Sequence, residues 1–256
     1  MVKQFIKQVT VTGADDLTNP NSLIELSNVY PFVEFGILVS KSNSGLCPRF
    51  PSQRWLDNIS NIKRFPMKLS MHLCGYWVRS IADGKGDIFK EWISNYFTMF
   101  NRIQLNFHGQ PHLVDDNFYT ILKEGFNVPI IFQLDGTNDA LYNLALKQGV
   151  SAQPLYDLSG GTGILPNNWL PPQSYYTGYA GGLSPTNLKT NLDILSNIIN
   201  INSATIWIDA ETHLRSNNDT LFDISKVAQF LKIAKPFILD TKSNRVVVSQ
   251  REGRIK

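Results

Sequence analysis

Eight strand-like runs follow one another along the chain, and nearly every one ends in a polar or acidic residue. The runs are Val9–Asp15, Val33–Ser40, Leu69–Gly75, Ile103–Gly109, Ile130–Gly136, Pro154–Gly163, Tyr176–Pro185 and Ile206–Arg215. Helix-like segments follow most of them, and this alternation predicts an α/β protein with a parallel sheet. Eight such units in a chain of 256 residues favour a closed (β/α)8 barrel, in which the active site lies at the carboxyl ends of the strands.

We therefore predict a single TIM barrel over residues 1–240, followed by a short C-terminal tail over residues 241–256. An open, doubly wound sheet is the alternative. The turn after the first strand has the sequence GADDLTN, without the G-x-G-x-x-G motif of such folds. Its two acidic residues would repel a phosphate group, so the barrel is preferred.

Charge, apolar runs and cysteine content limit which kinds of binding partner we expect for this protein. The formal net charge is only +3 and the basic residues are dispersed, so we predict no nucleic-acid partner. No apolar run reaches the roughly 18 residues of a membrane helix, and the first nine residues hold no long apolar stretch. We therefore expect no secretory signal, no membrane partner and a cytoplasmic location. Cys47 and Cys74 form neither a disulfide framework nor a zinc motif. We predict a small-molecule substrate and no cofactor, and leave the oligomeric state open.

Three segments together resemble the phosphoribosylanthranilate isomerase family. They are YDLSGGTG at 156–163, YAGGLSPTNL at 179–188 and PRFPS at 48–52. Their order and spacing match that family across nearly the whole chain. The resemblance implies a TIM barrel and acid–base isomerisation of the aldose–ketose type on a sugar-like or sugar-phosphate-derived molecule.

The resemblance also implies roles for residues that this chain keeps. Asp157 corresponds to the general acid of the family, and Arg49 to the arginine that contacts its aromatic acid. Gly181 and Gly182 correspond to a glycine pair whose backbone N–H groups bind phosphate. On this basis Asp157 is a catalytic candidate, and the other three are substrate-binding candidates.

Two departures argue against the reaction of that family. Thr12 occupies the position of the catalytic cysteine, and an unactivated hydroxyl is a poor general base near neutral pH. Glu211 falls where the family has a small phosphate-binding turn, and its carboxylate would repel a phosphate dianion. We predict chemistry that is related to that of the family but distinct from it.

Another side chain must then serve as the base, and Glu211, Asp135 and His72 are the candidates. Each lies at or just beyond the end of a predicted strand. Asp135 has an alternative role as a cap for the following helix, and Glu211 could instead form an ion pair with Arg215.

The remaining candidates are predicted to contact substrate at the same face. They are Thr12, Asn106, His108, Gly160, Gly161, Asp209 and Arg215. The glycine-rich loop SGGTGILPNNW has the composition of a mobile lid, with Trp169 as its anchor.

Two other functions stay open at this point. A metal-assisted hydrolase or lyase would use His72, His108, Asp135 and Asp209 as ligands. A barrel that binds a ligand without catalysis would explain the loss of the cysteine at Thr12. Glu34, unexpected in an apolar strand, is predicted to pair with a lysine near the bottom of the barrel.

Overall fold

A computed structural model describes residues 2–62, 67–107, 114–200 and 204–240 of the chain. The predicted tail over residues 241–256 and the candidate His108 lie outside these ranges. Within them, the polypeptide alternates between strands and helices, as the sequence predicts.

The eight strands form a closed barrel in chain order, and every neighbouring pair is parallel. They are β1 Ile6–Thr12, β2 Val33–Ser40, β3 Leu69–Cys74, β4 Arg102–Asn106, β5 Ile130–Leu134, β6 Ala152–Tyr156, β7 Tyr176–Tyr179 and β8 Thr205–Ala210. The barrel closes where β1 pairs with β8, with Thr10 opposite Asp209. The prediction of a (β/α)8 barrel is confirmed.

Eight helices surround the barrel in the described ranges. They are α1 Pro20–Val29, α2 Gln53–Ser60, α3 Tyr76–Ala82, α4 Gly86–Ile93, α5 Phe118–Gly125, α6 Asp139–Lys147, α7 Leu188–Ile198 and α8 Ile224–Ala234. A two-stranded hairpin, β9 Arg215–Ser216 with β10 Leu221–Phe222, precedes α8. None of the described helices is long and apolar enough to span a bilayer.

Two of the connections between neighbouring strands do not consist of a single helix. A second helix, α3, begins directly after β3 because Gly75 turns the chain at φ +60° and the apolar residues that follow are buried. The sequence predicts one helix in this region, near residues 87–97, and it corresponds to α4. No helix forms between β6 and β7, where a glycine- and proline-rich loop is predicted and found.

Polar residues begin several helices as the sequence indicates. The Asn19 side chain accepts a hydrogen bond from the backbone of Asn21, and Pro20 takes the first helical position. Ser52 caps α2 in the same way, accepting from the backbone of Trp55 at 3.2 Å. These caps fix where the chain leaves the loop and so help to place Arg49 just before α2.

The bottom of the barrel interior holds a buried ion pair. Arg102, at the start of β4, binds both carboxylate oxygens of Glu34 on β2. Thr10 donates to the same carboxylate at 3.0 Å, and the Arg102 guanidinium lies 4.5 Å from the ring centre of Trp207. Glu34 is paired as predicted, but with an arginine rather than a lysine. The guanidinium fork can bind both oxygens and stack on an aromatic ring at once.

We expect Arg102→Met to destabilise the fold by about 3–5 kcal/mol, because it leaves Glu34 charged and unpaired inside the barrel. Urea unfolding measures the change. Removal of both charges, in Arg102→Met with Glu34→Gln, should recover much of the loss. The matched control is Lys189→Met, which breaks the exposed pair with Asp193 and should cost under about 1 kcal/mol. Equal effects of the two single variants would contradict a stabilising role for the buried pair.

Candidate functional site

A cavity of about 210 Å³ opens at the carboxyl ends of the strands. Residues of β2 to β8 and of their following loops form its wall. Its polar side chains include His72, Gln104, Asn106, Gln133, Asp157, Asp209 and Glu211. Sites for drug-sized ligands hold roughly 300–1,000 Å³, so this cavity suits a smaller molecule.

Asp157, directly after β6, is held by three donors. The Gln133 side chain donates to Oδ2 at 2.7 Å, and the backbone N–H of Gly161 donates to the same oxygen at 3.0 Å. The Ser159 hydroxyl donates to Oδ1 at 2.7 Å. The carboxylate is therefore oriented on both oxygens, and it is only 7% exposed.

Glu211 lies across the same cavity and is bound by Arg49. The Arg49 Nη1 group donates to Glu211, while its Nε and Nη2 groups donate to Asp219. Burial raises the pKa of Glu211, the Arg49 cation opposes this, and the charges of Asp219 and Asp157 act with burial. Each guanidinium nitrogen of Arg49 thus has a carboxylate partner.

A second arginine anchors the loops beneath this pair. Arg215 donates to the Gly13 carbonyl, to Asp15 at 2.8 Å and to the Asp219 carbonyl at 3.0 Å. Asp15 also accepts the backbone N–H of Arg49 at 2.8 Å, which holds that residue in a left-handed conformation at φ +67°. The alternative in which Glu211 pairs with Arg215 is not found, because Glu211 pairs with Arg49. Arg215 is buried and fixes the loops after β1 and β8.

Asp209 lies deeper in the cavity, beside Thr12. Thr12 donates its hydroxyl to Asp209 Oδ1 at 2.9 Å. Burial raises the pKa of Asp209 to about 8, which the hydrogen bond from Thr12 opposes. Asp209 is therefore largely protonated at neutral pH. Thr12 lies behind Asp209, so it acts on the cavity through that carboxyl group.

His72 is a neutral imidazole in the cavity wall. Burial and, to a lesser extent, the Arg102 cation lower its pKa to about 3. Its Nε2 atom is 4.0 Å from Asp209 Oδ2, and no hydrogen-bond partner reaches it within the described residues. An imidazole with so low a pKa holds a proton poorly at neutral pH, so His72 is better suited to hydrogen bonding than to the predicted role of base.

Amides and a thiol complete the floor. Gln104 donates to Asn106 at 2.9 Å, and Asn106 donates to the Cys74 sulfur at 3.3 Å. Burial raises the pKa of Cys74 to about 12, which keeps the thiol protonated and unreactive. The Oε1 atoms of Gln104 and Gln133 are buried without a hydrogen-bond partner in the described part of the chain.

The loop after β6 covers one side of the cavity. The His213 ring nitrogen Nε2 is 3.0 Å from the Gly163 carbonyl, and Trp169 donates to Asn191 at 2.9 Å. At Gly182, with φ +63°, an added Cβ would lie 2.4 Å from the backbone nitrogen of Leu165. The predicted anchor Trp169 is buried, and the loop backbone packs directly on the glycine pair.

Several predicted site residues lie elsewhere. Asp135 is not among the residues that line the cavity. The N-cap of α6 is Asn138, so Asp135 does not have the alternative role of a cap either. It accepts hydrogen bonds from the backbone and side chains of Thr137 and Asn138 in the turn before α6. These bonds lower its pKa against the effect of burial. Gly160 forms a turn with Asp157, whereas Gly161 and the pair Gly181 and Gly182 line the cavity.

The described residues do not assemble the metal site of the alternative hydrolase or lyase. They contain no group of three or more histidine, cysteine, aspartate or glutamate side chains placed to hold an ion. Asp135 is bound in the turn before α6, and His108 lies outside the described ranges. The other two proposed ligands, His72 and Asp209, remain as neighbours in the cavity wall.

Two residues that position side chains of the site were not identified from the sequence. Asp219, in the turn of the hairpin, binds Arg49 through a contact that joins distant loops. Ser159 orients Asp157 from the first turn after β6, and its place in the Asp-x-Ser sequence is the one local signal that could have identified it.

The fold and the site define a (β/α)8 barrel with a polar pocket at the strand carboxyl ends. Solved structures of the same architecture include a monomeric form of the dimeric phosphoribosylanthranilate isomerase of Thermotoga maritima, at 16% identity and a TM-score of 0.54, covering 90% of this chain and 99% of that one. The N-(5′-phosphoribosyl)anthranilate isomerase of Pyrococcus furiosus is similar at 15% identity and a TM-score of 0.50, covering 90% and 98%.

TrpF from Jonesia denitrificans is similar at 16% identity and a TM-score of 0.58, covering 90% and 97% of the two chains. No protein-family model and no curated protein sequence matches this chain. The resemblance predicted from the motifs is confirmed as a likeness of fold. Identities this low carry no further conclusion about activity.

The pKa of Asp209 gives a testable dependence of stability on pH. The folded state keeps a proton that the unfolded chain releases, so the stabilising contribution of Asp209 is lost as pH rises from about 4 to about 8. Asp209→Asn is neutral throughout. We expect its free energy of unfolding, minus that of the wild type, to increase over this range and then level off.

Urea unfolding at a series of pH values measures this difference. The control is Asp193→Asn at an exposed position, for which the difference should stay nearly constant. A constant difference for Asp209→Asn as well would show that Asp209 ionises normally.

Proposed function

We propose that this protein is an enzyme that catalyses isomerase-type proton transfer on a small, hydroxyl-rich molecule. One observation carries the proposal: an oriented carboxylate, Asp157, and a carboxyl group with a raised pKa, Asp209, line a single small cavity. Two carboxyl groups kept in different protonation states by their surroundings are the usual basis for acid–base catalysis.

The contacts of the two residues assign their roles. Asp157 accepts hydrogen bonds on both oxygens, an arrangement suited to an ionised carboxylate that receives a proton. Asp209 is protonated at neutral pH, and its pKa of about 8 lies near the value that suits proton exchange there. We therefore assign Asp157 as the base and Asp209 as the acid, which reverses the role that the family resemblance implies for Asp157.

The proposed reaction conserves protons. Asp157 removes a proton from the carbon next to a carbonyl group, and Asp209 gives its proton to the carbonyl oxygen, which forms an enediol. Asp157 then returns a proton to the neighbouring carbon while the Asp209 carboxylate takes the proton of the other hydroxyl group. Both side chains end in their starting states, and the carbonyl group has moved by one carbon.

The floor of the cavity supports a hydroxyl-rich substrate. His72 Nε2, Gln104 Oε1 and Gln133 Oε1 are buried polar atoms without partners in the described residues. Leaving such atoms unpaired costs about 1–3 kcal/mol each. Sugar hydroxyl groups both donate and accept, so they can satisfy all three.

The solved neighbours support the isomerase class. Two of the three proteins named above are phosphoribosylanthranilate isomerases, and the third is TrpF. At Thr12 this chain lacks a titratable group, and Asp209 supplies one directly beside it. The proposal therefore keeps the class of chemistry and changes the residues that perform it.

An exchange assay tests the proposal without a known substrate. The protein is incubated in D2O with pentoses, hexoses and their phosphate esters, and proton NMR follows loss of the C–H signal beside the carbonyl group. We expect exchange with at least one compound. Because general acid–base groups contribute about 10²–10⁴-fold, Asp157→Asn and Asp209→Asn should each slow it by at least roughly 100-fold.

Ser159→Ala is the matched control, because it removes one donor to Asp157 and leaves Gln133 and Gly161 in place. Its rate should fall by less than about tenfold. Unchanged exchange in Asp157→Asn would overturn the assignment of the base. Binding of a sugar without any exchange would favour the alternative of a barrel that only binds a ligand.

A further inference from the structure

We infer that the pocket selects an uncharged, unphosphorylated sugar-like molecule and excludes phosphate esters. The inference rests on the proposed function for the location of the site, and it specifies the substrate class. Two observations carry it: the pairing of the arginine in the cavity wall with two carboxylates, and the position of the Ile164 carbonyl oxygen beside the glycine pair.

The charge balance of the cavity is unfavourable for an anion. Among the residues that the structure describes, Arg49 is the one lysine or arginine in the wall. Its guanidinium group is shared between Glu211 and Asp219. Asp157 and Glu211 face the same space, and Asp157 has no ion-pair partner in the described ranges. Among the described residues that line the cavity, a phosphate dianion would therefore meet two carboxylates and no lysine or arginine free of a carboxylate partner.

The loop after β6 packs closely on the glycine pair. At Gly181 an added Cβ would lie 3.0 Å from the Ile164 carbonyl oxygen, and at Gly182 it would lie 2.4 Å from the Leu165 nitrogen. The Ile164 carbonyl thus occupies the space beside the pair and presents a partial negative charge. His213, another group that could bind an anion, already contacts the Gly163 carbonyl at 3.0 Å.

The remaining surface on which a ligand can bind is the uncharged, deeper part of the cavity. Its unsatisfied atoms lie on His72, Gln104 and Gln133, and each can pair with a hydroxyl group. A neutral polyol gains these hydrogen bonds without the repulsion that a phosphate would meet.

The test compares matched ligands by ligand-observed NMR, which needs no turnover. The probes are a panel of neutral pentoses and hexoses, the 5- or 6-phosphates of the same sugars, and inorganic phosphate. With the wild-type protein we expect at least one neutral sugar to bind, and its phosphate ester to bind at least roughly tenfold more weakly, because of repulsion at close range.

Glu211→Gln removes one carboxylate and releases part of the Arg49 guanidinium group. We expect this variant to gain affinity for the phosphate ester by roughly tenfold or more, with little change for the neutral sugar. Asp193→Asn is the matched control: it changes the net charge equally at an exposed pair with Lys189 and should leave both affinities unchanged.

Tighter or equal binding of the phosphate ester by the wild type would overturn the inference. So would the absence of any bound neutral sugar, or the absence of a gain in Glu211→Gln. The comparison within the wild type decides the matter even if that variant does not fold. Exchange confined to phosphate esters in D2O would overturn this inference and uphold the proposed function, whereas selective sugar binding without exchange would do the opposite.

Discussion

The parallel pairing of β1 with β8 is the constraint on which the site depends. It closes the sheet, and it brings Thr12 within 2.9 Å of Asp209, 197 positions away in the chain. In an open sheet these strands would be the two edges, far apart. The Glu34–Arg102 pair stabilises the bottom of the same closed interior. The upper layers can then hold unpaired polar atoms, which a stable barrel tolerates where a ligand binds.

Charged groups at the mouth of the barrel are divided between two tasks. Arg49 and Arg215 bind Asp15, Glu211 and Asp219, and these contacts tie together the loops after β1, β2 and β8. The carboxyl groups left for chemistry, Asp157 and Asp209, are held by neutral donors instead. An ion pair fixes a side chain in its charged form, whereas burial beside a hydroxyl group leaves a carboxyl group able to exchange its proton.

The sequence predicted the strands, their parallel order and most strand-end residues, because these follow from local periodicity and from motifs. It identified Asp157 and Glu211 as members of one pocket. It could not separate the roles of Asp135 and Asp209, which both end apolar strands. Asp135 accepts hydrogen bonds from Thr137 and Asn138, which are close by in sequence, in the turn before α6. Asp209 has its partner on β1, and periodicity carries no information about such a contact.

The sequence by itself determined the barrel, the glycine-rich loop and the positions of Thr12 and Glu211 at strand ends, since each follows from a short stretch of residues. Only the tertiary structure decided protonation states and partners. Burial raises the pKa of Asp209 to about 8 and lowers that of His72 to about 3, because removing a charge from water is costly. In the same structure Arg49 forms ion pairs with Glu211 and Asp219 rather than being available to a ligand. The burial and the partners of these side chains depend on which distant segments of the chain are in contact. Closure of the barrel determines those contacts.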